Sequence, residues 1–308
     1  MAKPFVKWAG GKADLLQKID ENLPNFFRDG TNITYIEPFL GGGAVLFHIL
    51  TKYRDRLTRV IVNDINVDLI SCYQIIQKNP NTLINALKRL QNDYYACLTK
   101  EQQGELYYKI REQFNSRSVR GNISRAAQFL FLNHTCYNGL YRENAKGQFN
   151  VPCAYYKKPN IVNEETIRAA HEALVNVEIL CGDYRKVADY IQGHAPTFIY
   201  FDPPYRPLHE HSNNFSKYNR LGFGDREQEE LHEFCRQMSV QRNFIMQSNS
   251  DSRNIDDSPY FENIYHGFIV EKVMAIRTIN PYAETAHKQS EVLIKNYDEN
   301  DQIIVPII

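Results

Sequence analysis

The feature that most constrains this chain is a short apolar run that ends in glycines. Residues 34–39 (TYIEPF) read as a strand and run straight into Leu40, Gly41, Gly42 and Gly43, after which residues 44–50 read as a helix. A second strand over 59–62 ends at Asn63 and Asp64. Strand, glycine turn, helix, then a strand closed by an acid is how a doubly wound α/β sheet begins, and such sheets bind ligands at the carboxyl ends of their strands. The expected fold class is therefore α/β, a Rossmann-like mixed sheet.

The pattern then changes. Residues 67–127 read as helical, with Leu83, Leu87, Leu90 and Tyr94 at spacings of three and four. Residues 136–156 are loop-like, rich in Asn, Gly, Tyr and Pro. Sheet character returns at 177–180 (VEIL), 197–201 (TFIYF), 243–247 (NFIMQ) and 292–296, while 208–223 lack periodicity and are expected to form a mobile loop. This predicts one α/β domain, residues 1–66 and 160–308, interrupted by a mostly helical insertion over 67–159.

Net charge is zero, which at first argues against a nucleic-acid partner. The average conceals an asymmetry: residues 109–158 hold nine Lys/Arg and two Asp/Glu, a local +7 offset by −7 elsewhere. A basic face on a neutral protein suffices to neutralise phosphates. The six cysteines form no CxxC pair and do not cluster with the histidines, so neither a zinc site nor a disulfide framework is expected. No apolar run nears the ~20 residues that span a bilayer, and the first residues lack a signal-peptide core; a cytoplasmic location without membrane attachment is expected.

Glycines after a strand let backbone approach a ligand, but dinucleotide enzymes and plain turns use them too. Asp64, about twenty residues past the glycines, stands where an acid can accept ribose hydroxyls. Together they favour a nucleoside-containing cofactor without choosing between NAD and S-adenosylmethionine. Asp202-Pro203-Pro204-Tyr205 makes the choice. Two prolines after an acid, at the end of an apolar strand, form a rigid loop in which the Asp202 carboxylate and the Pro203 carbonyl are two acceptors for the hydrogens of an exocyclic amine. Tyr205 then supplies a face on which the ring bearing that amine can stack.

With these residues the chain resembles the DPPY-type adenine-N6 DNA methyltransferases, in particular their Dam-like, GATC-directed branch. The resemblance covers nearly the whole chain: FVKWAGGK, YIEPFLGGGAVLF, the ND pair, YNGLYRENAKGQFNVP, GDY, YFDPPY and a closing SEVLIKNY, in family order. It implies S-adenosylmethionine as cofactor and double-stranded DNA as partner. Trp8, Lys12, Phe39, Gly41, Gly43, Asp64, Asp183 and Tyr184 match cofactor-site positions, with Lys12 on the methionine carboxylate and Asp183 on the cofactor adenine. Without the family, Trp8 would read as a core aromatic, Lys12 as a surface charge and Asp183 as a turn acid.

The insertion matches the family's target-recognition region. Tyr137, Asn138, Leu140 and Arg142 would enter DNA, Arg142 pairing bidentately with guanine O6 and N7. Pro152 matches a position that contacts the target. Arg117, Arg120, Arg125, Lys157 and Lys158 are expected to be phosphate contacts. The target adenine would be flipped out, held by Asp202 and the Pro203 carbonyl, and stacked on Tyr205, with Phe215 or Tyr218 closing over it. The sulfonium is its own leaving group, so no metal is called for.

Cytosine-N4 enzymes usually carry Ser, and glutamine-N5 protein methyltransferases Asn, where this chain has Asp202. A catalytically silent DNA reader would be expected to have lost the cofactor residues. Arg142 implies a guanine before the adenine but leaves GATC and GATATC both open. A monomer is expected, as is a cognate restriction endonuclease, if there is one, acting separately.

Overall fold

The computed structural model of the protein describes residues 1–12, 15–30, 32–116, 123–191, 195–206, 222–254, 256–276 and 288–305. The chain divides into two compact units. The first comprises Met1–Gly11, Gly41–Lys52 and Asn63–Asp183, the second Lys12–Leu40, Tyr53–Val62 and Tyr184–Ile308.

The strands are β1 (Ile33–Glu37), β2 (Leu57–Asp64), β3 (Val177–Cys181), β4 (Thr197–Phe201), β5 (Phe244–Ser250), β6 (Ile269–Ile276) and β7 (Lys288–Lys295). They form one seven-stranded sheet in the order β3-β2-β1-β4-β5-β7-β6. β1 lies parallel to β2 and β4, and β4 parallel to β5, whereas β7 runs antiparallel to both β5 and β6. This is a mixed α/β sheet, parallel through its centre with an antiparallel pair at one edge. Every residue of β1 and β4 is buried, which is why TYIE and TFIYF read as continuous rather than alternating apolar runs.

The sequence reading anticipated six of these strands to within a few residues but not β6. That strand ends the sheet order, is interrupted by Glu271 and Lys272, and exposes Met274, so its apolar pattern is weak. Short helices α1 (Leu16–Glu21) and α2 (Phe26–Asp29) precede β1, and α3 (Ala44–Tyr53) follows the glycine turn.

Between β2 and β3 the first unit is helical: α4 (Val67–Lys78), α5 (Pro80–Ala96), α6 (Lys100–Asn115), α7 (Ile123–Thr135) and α8 (Glu164–Ala173). Asn66 caps α4 by accepting from Leu69 N–H at 2.9 Å, and Thr99 and Gln102 form a reciprocal capping box on α6. Leu83, Leu87 and Tyr94 of α5 are buried, as their spacing predicts, with Leu90 half-buried. The second unit adds α9 (Asp225–Val240) and α10 (Tyr260–Ile264).

One expectation about charge is corrected here. Arg125, read as a phosphate contact, is buried: its guanidinium forks onto Asp68 at 2.6 and 2.8 Å, donates to the Phe114 carbonyl at 2.6 Å and lies over the Phe114 ring. A guanidinium held this way knits α7 to α4 and α6, and breaking such a buried pair typically costs about 3–5 kcal/mol. The six cysteines are free thiols. No described helix is long and apolar enough to cross a membrane.

Candidate active site

In the second unit, the loop after β4 carries Asp202 into a buried polar cluster. Lys12 Nζ lies 2.7 Å from Asp202 Oδ1, their side chains 7% and 22% exposed, and the Ser248 hydroxyl donates to the same oxygen at 3.2 Å. Among the described residues, no hydrogen bond or ion pair is found at Oδ2. Burial pushes the Asp202 carboxyl up, while the Lys12 charge and the Ser248 hydroxyl pull it back toward the anion.

Tyr205 lies under the Lys12 ammonium, 4.5 Å from ring centre to Nζ, and donates its hydroxyl to Glu291 Oε2 at 2.8 Å. Burial, then the charges of Asp202 and Glu291, push its phenol well up, so it remains a donor. The chain beyond is clamped. Gln228 Nε2 donates to the Pro204 carbonyl, Arg206 N–H donates to Asn249, and Ser250 donates to the Arg206 carbonyl. The Arg206 guanidinium forks onto Asp225 at 2.6 and 3.0 Å. At the end of the neighbouring strand β1, buried Glu37 accepts from the Tyr35 hydroxyl at 2.8 Å. Past it, Phe39 stacks on Tyr184 with centroids 5.2 Å apart and meets Phe223 edge-on.

In the first unit, the glycine turn and Asp64 form a second cluster. Asp64 Oδ2 accepts from Gly41 N–H at 2.8 Å and Oδ1 from Asn66 N–H at 2.9 Å. Burial raises its carboxyl, and those backbone donors oppose the rise. Gly182, at the end of β3, donates its N–H to the Asp64 carbonyl and accepts from Asn63, which sets Asp183 beside Asp64 on adjoining strand ends. Asp183 is exposed and Tyr184 buried. Trp8 covers the turn: a Cβ on Gly41 would come within 3.1 Å of the indole. Gly43 has φ +73°, and a Cβ there would sit 2.5 Å from the Tyr73 hydroxyl. On its other side Trp8 stacks with Tyr141, centroids 5.5 Å apart.

The segment after α7 turns through Tyr137–Gly139, where Asn138 has φ 54°. Tyr137 N–H donates to the Pro152 carbonyl at 3.0 Å, and the backbones of Cys136 and Cys153 pair antiparallel as an isolated β-bridge, so Tyr137 and Pro152 are neighbours. Tyr137, Asn138 and Pro152 are exposed, and Leu140 is half-buried. Arg142 donates to Asn150 Oδ1 at 2.6 Å, which orients the guanidinium stem.

The family model of the D12 class N6 adenine-specific DNA methyltransferases matches residues 8–279, which include Trp8, Lys12, Asp64, Asp202, Tyr205 and Ser248. The chain belongs to that class. It is 44% identical over 297 residues to the Type II methyltransferase M.MjaIII of Methanocaldococcus jannaschii, covering 96% of this chain and 99% of that one. It is 34% identical over 299 residues to a Type II methyltransferase of Lactococcus lactis subsp. cremoris, covering 96% and 95%. A DNA adenine methylase of Haemophilus influenzae is 32% identical over 292 residues, covering 94% and 92%.

In this methyltransferase the structure joins Lys12, Asp202 and Tyr205 in one cluster. It joins Gly41, Asp64 and Trp8 in another, with Asp183 on the adjoining strand end, and Phe39 with Tyr184 in a third contact. Lys12, assigned by resemblance to a cofactor carboxylate, is found on a carboxylate of the chain itself. Arg117, Arg120, Phe215 and Tyr218 lie outside the described residues, as does most of 208–223. Lys157 and Lys158 are exposed.

The sequence reading missed Ser248, Glu291, Glu37 and the clamp of Gln228, Asn249 and Arg206. A signal for part of this was present: the apolar run of β5 continues as Gln247, Ser248, Asn249 and Ser250, all buried. Four consecutive polar residues closing a buried strand mark the edge where such sheets bind ligands. Among the described residues no group of acids, cysteines and histidines could hold a metal ion.

Proposed function

We propose that this methyltransferase acts on GATC in duplex DNA, with S-adenosylmethionine as donor and the target adenine flipped from the helix. The observation that carries the reading is the anchoring of Asp202: one carboxylate oxygen is held by Lys12 and Ser248, which turns the other toward an amine. Burial pushes the Asp202 carboxyl up and Lys12 opposes that rise, favouring the anion; a fixed acceptor is what a weakly nucleophilic exocyclic nitrogen requires.

The residues fit the cofactor. Asp64, pinned by two backbone N–H groups, is suited to ribose hydroxyls, and Asp183 to an adenine amino group. The Phe39–Tyr184 stack, Trp8 and the glycine turn offer apolar faces and open backbone. When bound, the cofactor would supply the methyl from its sulfonium and keep the C–S electron pair on sulfur. Asp202 and the Pro203 carbonyl hold the two N6 hydrogens and draw the nitrogen toward tetrahedral geometry. The proton given up by N6 would pass to water. Orientation and preorganised charge supply the acceleration.

Residues 1–66 and 160–308 serve catalysis in this reading, and 67–159 target recognition. Tyr137, Asn138, Leu140, Arg142 and Pro152 address bases, and Lys157 and Lys158 phosphates. Two relatives carry the name Type II methyltransferase, which supports a separate restriction endonuclease as functional partner. A cytoplasmic monomer acting on one strand at a time completes the reading.

The test is methyl transfer from tritiated S-adenosylmethionine to two duplexes that differ only in GATC against GTAC. Label in the GATC duplex alone is expected. Label in both would discard the role of Arg142. Label in neither, with a GATATC duplex labelled instead, would replace GATC by the longer site.

A further inference from the structure

Tyr205 is the aromatic on which the flipped adenine is read to stack, and its ring is fixed from β7. Glu291 sits in that strand opposite Ser250 of β5, only 5% exposed, with the acid facing the loop after β4. Its Oε2 accepts the Tyr205 hydroxyl at 2.8 Å. A carboxylate that is this buried is costly to keep charged unless it is hydrogen-bonded. A phenol donating to a carboxylate makes a charge-assisted bond, shorter and stronger than a neutral one.

The ring is therefore held at its far end by Glu291, at its root by the clamped chain of Pro204 and Arg206, and on one face by Lys12. With those contacts made, the ring plane has little freedom left. An adenine stacked on it inherits that plane, and the plane decides whether N6 meets Asp202 Oδ2 in line with the methyl.

We propose that Glu291 is a positioning residue for methyl transfer, setting the plane of Tyr205 and through it the attack angle of N6. The inference rests on the function proposed above and deepens it. The role proposed for Glu291 is exerted through the tyrosine hydroxyl, whose hydrogen bond it accepts. Removing the acceptor should leave DNA and cofactor affinity in place and lower the rate of the chemical step, the signature of an interaction realised in the transition state.

The experiment compares single-turnover methylation by wild type, Glu291→Leu, Glu291→Gln, Tyr205→Phe and the double variant Glu291→Leu/Tyr205→Phe, with thermal unfolding and cofactor binding measured alongside. Glu291→Leu is expected to lose about tenfold to a hundredfold in rate, the range of one buried hydrogen bond, with DNA KM changed less than about threefold. Glu291→Gln keeps an oxygen acceptor and should recover most of that rate. In the Tyr205→Phe background, which has no hydroxyl to orient, Glu291→Leu should cost almost nothing further.

A Glu291→Leu enzyme as fast as wild type would overturn the proposal. So would a defect that persists undiminished in the Tyr205→Phe background, or one that appears wholly in KM. Failure of the wild type itself to methylate adenine would instead remove the functional reading on which the proposal stands.

Discussion

At the residue scale, most of the chemistry turns on how burial is reconciled with charge. Asp202 is buried enough to favour its neutral form, and Lys12 and Ser248 supply the opposing stabilisation of the anion. Asp202→Ala should lower methyl transfer by roughly a thousandfold or more, as loss of a preorganised electrostatic group does, while leaving much of the cofactor affinity. Equal loss of both, measured by single-turnover rates and calorimetric titration, would remove the role assigned to it. Because the carboxyl is shifted upward, the rate should fall as pH drops through a value above the ordinary Asp range.

His134 makes a separate prediction about stability. Burial and nearby Lys7 lower its imidazole from 6.5 to about 4, while its Nε2 lies 3.2 Å from the Phe5 carbonyl. The folded chain keeps the ring neutral while the unfolded chain protonates it below 6.5, so this stability is present above that pH and is lost as pH falls toward 4. The loss between pH 7 and 5 should be about 2 kcal/mol. Denaturant titrations of wild type and His134→Gln should show a shallower pH dependence in the variant. Identical curves would contradict the assignment.

At the element scale, the glycine turn between β1 and α3 is a junction that tolerates no side chain. Gly43 combines φ +73° with a Tyr73 hydroxyl 2.5 Å from where Cβ would be. That hydroxyl donates to the Gly41 carbonyl, and Gly41 N–H in turn holds Asp64. Gly43→Ala should therefore destabilise the protein by about 1–3 kcal/mol and weaken cofactor binding with it. Adding Tyr73→Phe removes the clash but not the positive φ, so unfolding midpoints should recover only in part. Full recovery would mean that the backbone conformation costs nothing.

At the scale of the whole molecule, zero net charge is divided between a basic stretch and an acidic remainder. Arg125 must be subtracted from the basic face, because its charge is consumed by Asp68 inside the helical region. Lys157 and Lys158 are exposed and remain. Replacing either by Ala should weaken DNA binding about equally for all sequences and reduce the slope of log K against log salt by about one. Arg142→Ala should instead relax the preference for guanine before the adenine, by about 1–3 kcal/mol of discrimination. Filter-binding across salt concentrations and site variants separates these outcomes; a sequence-dependent loss at Lys157 or Lys158 would reverse the assignment.

What the sequence determined by itself was everything written in contiguous residues. A strand running into glycines, an acid closing the next strand, and Asp-Pro-Pro-Tyr after a third are local signals, since backbone geometry and apolar periodicity act over a few residues. They sufficed for the mixed sheet, for six of its seven strands and for the family. Tertiary structure alone decided which distant side chains share an environment. Lys12 meeting Asp202, Glu291 holding Tyr205 and Asp68 claiming Arg125 join residues far apart in the chain. Each is an ordinary surface charge until folding removes its water. Only then does an electrostatic partner become obligatory, and no spacing rule in the sequence says which one it will be.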